Sequence, residues 1–206
     1  MKKTLFAAAV VAAFTFSACS ENTTESTETT VENTEAAPTE AALVSGVVVE
    51  TPDYSNVAEP MKTQISQLVS QYLKLKDALV ASDADAAKAA ATEVLGTANA
   101  MPVATLTTDE KAYAEEKTAQ VISSAEQIAA ASDVEAQRAQ LEPLSESVFS
   151  LAKAYDAGSQ SLYYQHCPMA LNNKGAYWLS ANEEIQNPYF GDKMLKCGST
   201  EEVYAD

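Results

Sequence analysis

Large apolar residues recur in steps of three and four along the middle of the chain. Met61, Ile65, Leu68, Tyr72, Leu75 and Leu79 fall on one side of a helical wheel, and such a stripe predicts an amphipathic helix over Met61–Val80. Pro60 stands at its start, where a missing N–H breaks no bond. The next segments open with capping residues. Ser82-Asp83-Ala84-Asp85 leads an alanine-rich helix to about Met101, carrying Val94 and Leu95. Thr107-Thr108-Asp109-Glu110 has the form of a capping box, in which Glu110 returns a bond to the Thr107 N–H. The helix behind it carries Tyr113, Val121, Ile122, Ala125 and Ile128. Ser132-Asp133-Val134-Glu135 repeats that form before a helix with Leu141, Leu144, Val148, Leu151 and Tyr155. Pro143 is expected to kink this helix and Gly158 to end it.

Short connections between amphipathic helices predict an all-α fold, a four-helix up-and-down bundle. An irregular, aromatic-rich C-terminal segment, about residues 159–206, is expected to pack on it. The bundle and this segment together form one domain, residues 46–206.

The chain before residue 46 reads differently. Lys2 and Lys3 precede a short apolar run from Leu5 to Phe16, too short for the roughly 20 residues that span a bilayer. This pattern is that of a secretory signal over residues 1–18. Its end, Phe16-Ser17-Ala18-Cys19, resembles the lipobox of bacterial lipoproteins, with Phe16 where Leu is usual. The resemblance implies cleavage after Ala18 and acylation of Cys19. The alternative is an ordinary signal cut near Ala18 that leaves a free thiol. Residues 19–45 hold six glutamates and no lysine or arginine, among them Glu21, Glu25 and Glu28. Such a stretch cannot bury enough apolar area to offset its ordering entropy and reads as a disordered tether. The expected location is the cell envelope, lipid-anchored on the periplasmic side of the outer membrane.

Charge narrows the partners. The chain carries 13 basic and 29 acidic residues, a net charge of −16. That balance argues against nucleic acid and anionic lipid headgroups as partners, since both attract basic surfaces. No Ser–His–acid set, phosphate loop or buried carboxylate pair can be assembled, and the inward Glu-x-x-His pairs of di-iron bundles are missing. A non-enzymatic role is expected.

Chemistry gathers at the C-terminal end, which holds Trp178, many of the tyrosines, the one histidine and two cysteines. Its blocks read Tyr164-Gln165-His166-Cys167-Pro168-Met169-Ala170, Gly175-Ala176-Tyr177-Trp178-Leu179-Ser180, Asn187-Pro188-Tyr189-Phe190-Gly191 and Met194-Leu195-Lys196-Cys197-Gly198. These blocks, with Tyr72-Leu73-Lys74-Leu75-Lys76-Asp77-Ala78-Leu79 in the bundle, resemble a family of uncharacterised exported helical domains. That family occurs as lipoproteins and fused to periplasmic adaptors of metal-efflux pumps, which implies an efflux adaptor or another envelope protein as partner.

The residues themselves support two readings. Cys167 and Met169 lie two apart, Met194 and Cys197 three apart, and His166 adjoins Cys167. Two thiolates, two thioethers and one imidazole form a soft donor set that selects Cu(I), whereas Zn(II) would leave the methionines idle. Trp178 and Tyr189 would shield such an ion from water. Alternatively, with Cys19 lipidated, the remaining even pair forms a disulfide in an oxidising compartment. A Cys167–Cys197 bridge would contribute roughly 3.5–4 kcal/mol by loop closure, with Met169 and Met194 as apolar filler. Asn187-Pro188-Tyr189-Phe190-Gly191 reads as a turn.

Overall fold

The computed structural model describes residues 48–205. The signal at residues 1–18, Cys19 and the tether at residues 19–45 lie outside the described residues. Five helices come first: α1 (Glu59–Val80), α2 (Ala84–Asn99), α3 (Thr108–Ala130), α4 (Val134–Arg138) and α5 (Leu141–Ala154). The α1 stripe is buried as its spacing predicts, with Met61, Ile65, Leu68, Tyr72, Leu75 and Leu79 all closed to solvent. Helix α1 packs on α2 and α5, and α3 packs on the same two, so four helices close a ring. Ala87, Ala91 and Ala98 of α2 and Ala114 and Ala125 of α3 are buried in it. Among the described residues, no helix is long and apolar enough to cross a membrane.

The helix ends follow local chemistry. Asp83 caps α2 by accepting from the Ala86 N–H at 2.9 Å. The Thr107 N–H donates to Glu110 Oε2 at 2.8 Å, completing the capping box of α3. The fourth predicted helix is split. Asp133, rather than a second Ser132–Glu135 box, caps α4 through the Ala136 N–H at 2.9 Å. The helix then breaks at Ala139-Gln140 and restarts at Leu141. Pro143 therefore sits in the first turn of α5, where its missing N–H removes no helical bond, and it kinks nothing. Nor does Gly158 stop α5. Asp156 takes the left-handed position at φ 49°. The Ala157 N–H then bonds Ala152 O at 3.0 Å and the Asp156 N–H bonds Lys153 O at 3.3 Å, the paired closure of a Schellman end.

A larger correction concerns the C-terminal segment. It is irregular only between three short strands, and the molecule is predominantly helical with a small antiparallel sheet rather than wholly α. Strands β1 (Leu162–Cys167), β2 (Ala176–Ser180) and β3 (Ser199–Tyr204) lie in the order β2-β1-β3. The register between β1 and β3 shifts at Tyr164/Gln165, and both residues of that step are buried. A bulge of this kind breaks the period-two alternation by which strands are recognised.

The sheet lies on the bundle through β2, which packs on α5 and α1. At the other end, Glu202 of β3 accepts from the Val48 and Val49 amides at 2.7 and 2.9 Å and pairs with Lys153 of α5. This arrangement holds residues 48–50 against the sheet.

A candidate sulfur site at the end of the central strand

Strand β1 delivers Cys167 at its last position, opposite Ala176 of β2. On the other side, antiparallel pairing of His166 with Ser199 carries the chain before β3 back past the end of β1. Cys197 arrives there, and its sulfur stands 2.6 Å from that of Cys167. Two unbonded sulfurs do not rest so close, and the pair is within reach of a covalent bond of about 2.05 Å. Cys167 is fully buried and Cys197 half-buried. The Cys167 thiol, then burial, push the Cys197 thiol up to about 11, so in the reduced state it keeps its proton at neutral pH.

Gly198 makes this approach possible. Its φ is +142°, and a Cβ there would meet the His166 carbonyl oxygen at 2.7 Å and the Trp178 ring at 2.8 Å. Any larger residue would push the segment off the strand. Trp178 is wholly buried, and Tyr189 meets it edge-on with ring centroids 6.1 Å apart. These are the two aromatics expected to cover the site.

The methionines stand at a neighbouring groove of about 470 Å³ that Met169 and Met194 line together with Leu171, Tyr189, Phe190 and Arg138. Met169 is 46% exposed. Beyond it the chain makes a left-handed turn, with Leu171, Asn172 and Asn173 at φ 48°, 60° and 62°, a run that non-glycine residues adopt only at a cost. Met194 links groove to thiols: the Cys197 N–H donates to its carbonyl at 3.0 Å, which places the two on one tight turn. Of the five expected site residues, the two cysteine sulfurs meet, Met194 shares the Cys197 turn through its backbone, and Met169 lines the groove that Met194 also lines. His166 is not among them. As the strand neighbour of Cys167 it projects to the opposite face, and its ring lies 4.3 Å from that of Tyr177. Among the described residues, no group of three or more His, Cys, Asp and Glu could hold a metal ion.

Two residues that support the site were not singled out from sequence. Asn187 is fully buried. Its side-chain amide donates to Cys197 O at 2.7 Å, and its Oδ1 accepts from the Tyr189 N–H at 2.8 Å. The Asn187-to-Gly191 stretch is a turn, closed by the Gly191 N–H on Asn187 O at 3.0 Å, but it is also the fastening of the cysteine loop. Arg138 is the other. Its guanidinium donates to Pro188 O at 2.6 Å, Leu79 O at 2.9 Å and Ser82 Oγ at 2.8 Å, tying α4 to the end of α1 and to this turn. The available signal was that Arg138 is the chain's one arginine.

Residues 68–160 match the model of a family described as a protein of unknown function (DUF3347). The match runs from within α1 to just beyond α5 and is consistent with an uncharacterised helical domain. It ends before β1, so the cysteines and the two methionines of the groove lie outside it. No curated protein and no solved structure matches the chain.

Proposed function

We propose that this chain is an exported, lipid-tethered protein of the cell envelope that binds Cu(I) through sulfur, and that it performs no catalysis. The observation that supports this reading most is the convergence of Cys167 on Cys197, with Met194 on the Cys197 turn and Met169 in the same groove as Met194. Thiolate and thioether donors suit Cu(I) above harder ions. His166 takes no part. An oxidised pair must first gain two electrons and two protons, which a dithiol of the envelope supplies as it becomes a disulfide. Cys19 carries the anchor in this reading, so Cys19→Ser protein is expected to leave the membrane fraction; its retention there would refute the lipid attachment.

The metal reading is tested by titrating reduced protein against a competing Cu(I) chelator. One Cu(I) per chain is expected. Met169→Leu with Met194→Leu is expected to weaken binding at least about tenfold while leaving stability within about 1.5 kcal/mol, because Leu matches Met in volume. Unchanged affinity in the double variant would sink the proposal.

The 2.6 Å separation of the sulfurs also favours a second reading. In it the pair is a permanent clamp, and the end bearing Met169 and Phe190 docks on an envelope protein such as a metal-efflux adaptor. Full Cys167–Cys197 crosslinking by non-reducing mass spectrometry of protein taken directly from cells, with no competition for Cu(I) after reduction, would establish this reading instead.

A further inference from the structure

The two sulfurs that meet at the end of β1 stand in unequal surroundings. Cys167 and its cross-strand partner Ala176 are both wholly buried and belong to the hydrophobic core. Cys197 lies on the turn after Met194 and is only half-buried. Lys196 before it and Ser199 two positions beyond are exposed, so this turn runs along the surface.

Disulfide chemistry turns that difference into a direction. A thiolate that opens a disulfide attacks one sulfur, and the other leaves with the bonding electrons. In a Cys167–Cys197 bridge, a nucleophile from solvent reaches the Cys197 sulfur at the surface turn. It reaches the Cys167 sulfur only through closed core packing.

The turn also keeps its place when the bridge opens. The buried Asn187 donates its side-chain amide to Cys197 O at 2.7 Å, and its backbone N–H bonds Leu195 O at 2.8 Å. Gly198 lies so close to β1 that a Cβ there would meet His166 O at 2.7 Å. None of these contacts uses a thiol, so none is lost when the sulfurs part. Cys167 remains beside Cys197 and can close the bridge again.

We propose that Cys197 is the site at which an external thiol joins this protein, with Cys167 as the leaving and re-closing sulfur. The incoming thiolate bonds to Cys197 Sγ, the Cys167–Cys197 bond breaks, and its electron pair departs on Cys167, which takes a proton from water. A second donor thiolate then attacks the sulfur of the first. Cys197 is released and protonated, and the two donor thiols end as one disulfide. The reverse step is attack of Cys167 on Cys197, which expels the donor. The inference rests on the bridge weighed under the proposed function and not on copper, so the test uses the full chain free of metal.

Because Cys167 expels the adduct, single variants give the lasting measure. Folded Cys167→Ala protein is expected to take up glutathione from its oxidised form at least about tenfold faster than Cys197→Ala protein, since access governs thiol reactivity. Urea is expected to abolish the difference. Equal rates without urea, or faster modification of Cys167, would overturn the proposal. The unmutated chain, joined by diamide, is then held in excess reduced glutathione, stopped in acid, unfolded and blocked with N-ethylmaleimide. Peptide mapping should find glutathione on Cys197 and maleimide on Cys167; the opposite map would refute the assignment. Failure of diamide to join the cysteines would remove the bridge and this inference with it. A chain that follows the expected pattern but does not compete for Cu(I) keeps this inference and loses the copper reading.

Discussion

The Leu179 N–H, in the middle of β2, donates a 3.0 Å hydrogen bond to the phenol oxygen of Tyr72 on α1. The same oxygen lies 2.7 Å from Ser145 Oγ of α5, so one buried atom joins two helices and the sheet. Burial pushes the phenol's proton affinity up, and it remains a neutral hydroxyl across the accessible pH range. A side chain 107 positions away in sequence thus satisfies a backbone donor that would otherwise be stranded under the sheet.

Removing that oxygen should be costly. Tyr72→Phe keeps the ring and its packing but leaves the Leu179 N–H without its acceptor, while the Ser145 hydroxyl keeps its 2.7 Å bond to Leu141 O. An unsatisfied buried group costs about 1–3 kcal/mol, and a loss in this range is expected by chemical denaturation with helix content retained. A loss below about 0.5 kcal/mol would show that the sheet is not held through Tyr72.

Gly191 tests the turn beside the sulfur site. Its φ is +55°, and a Cβ there would lie 2.6 Å from Ser82 Oγ and 2.8 Å from Val80 O. Both contacts are on the end of α1, next to Arg138. Gly191→Ala is expected to cost about 2 kcal/mol or more through strain and displacement of the Arg138 bonds. Ala at Gly96, where a Cβ meets nothing within 4 Å, should be neutral or stabilising by up to about 1 kcal/mol. Thermal melts of the two variants give the comparison; equal shifts would remove the argument.

The reduced thiol pair has a chemical signature. An ordinary cysteine ionises near 8.5, but Cys197 is pushed up to about 11 by the Cys167 thiol and by burial. The thiolate is the reactive form, so at pH 8 only about one Cys197 in a thousand is nucleophilic. After full reduction, its alkylation rate should rise steadily with pH toward a midpoint near 11. A midpoint near 8.5 would mean that Cys167 does not hold the proton of its neighbour.

How much of this was legible beforehand divides along a physical line. The α1 stripe from Met61 to Leu79, the alanine-rich α2 and the Thr107–Glu110 box depend on residues three or four positions apart, and a helix satisfies its backbone within the same segment. Those elements could be read directly. The break at Ala139-Gln140 and the stop at Asp156 were misread because Pro143 and Gly158 are strong local signals that their surroundings did not use.

The sheet was not legible, because strands bond to partners elsewhere in the chain and the Tyr164/Gln165 bulge erases the alternation that would betray them. The site divides in the same way. Its soft donors could be named from composition, since Cys167, Met169, Met194 and Cys197 stand out by residue type alone. Sequence adjacency put His166 beside Cys167, and the strand then turned the two to opposite faces. Only tertiary structure brought Cys197 to Cys167, through the pairing of His166 with Ser199 and the Asn187 fastening. Only tertiary structure buried Cys167 and left Cys197 half-open. Local periodicity determines which segments coil, whereas contacts across a hundred residues depend on which surfaces find each other, and no short window of sequence contains that information.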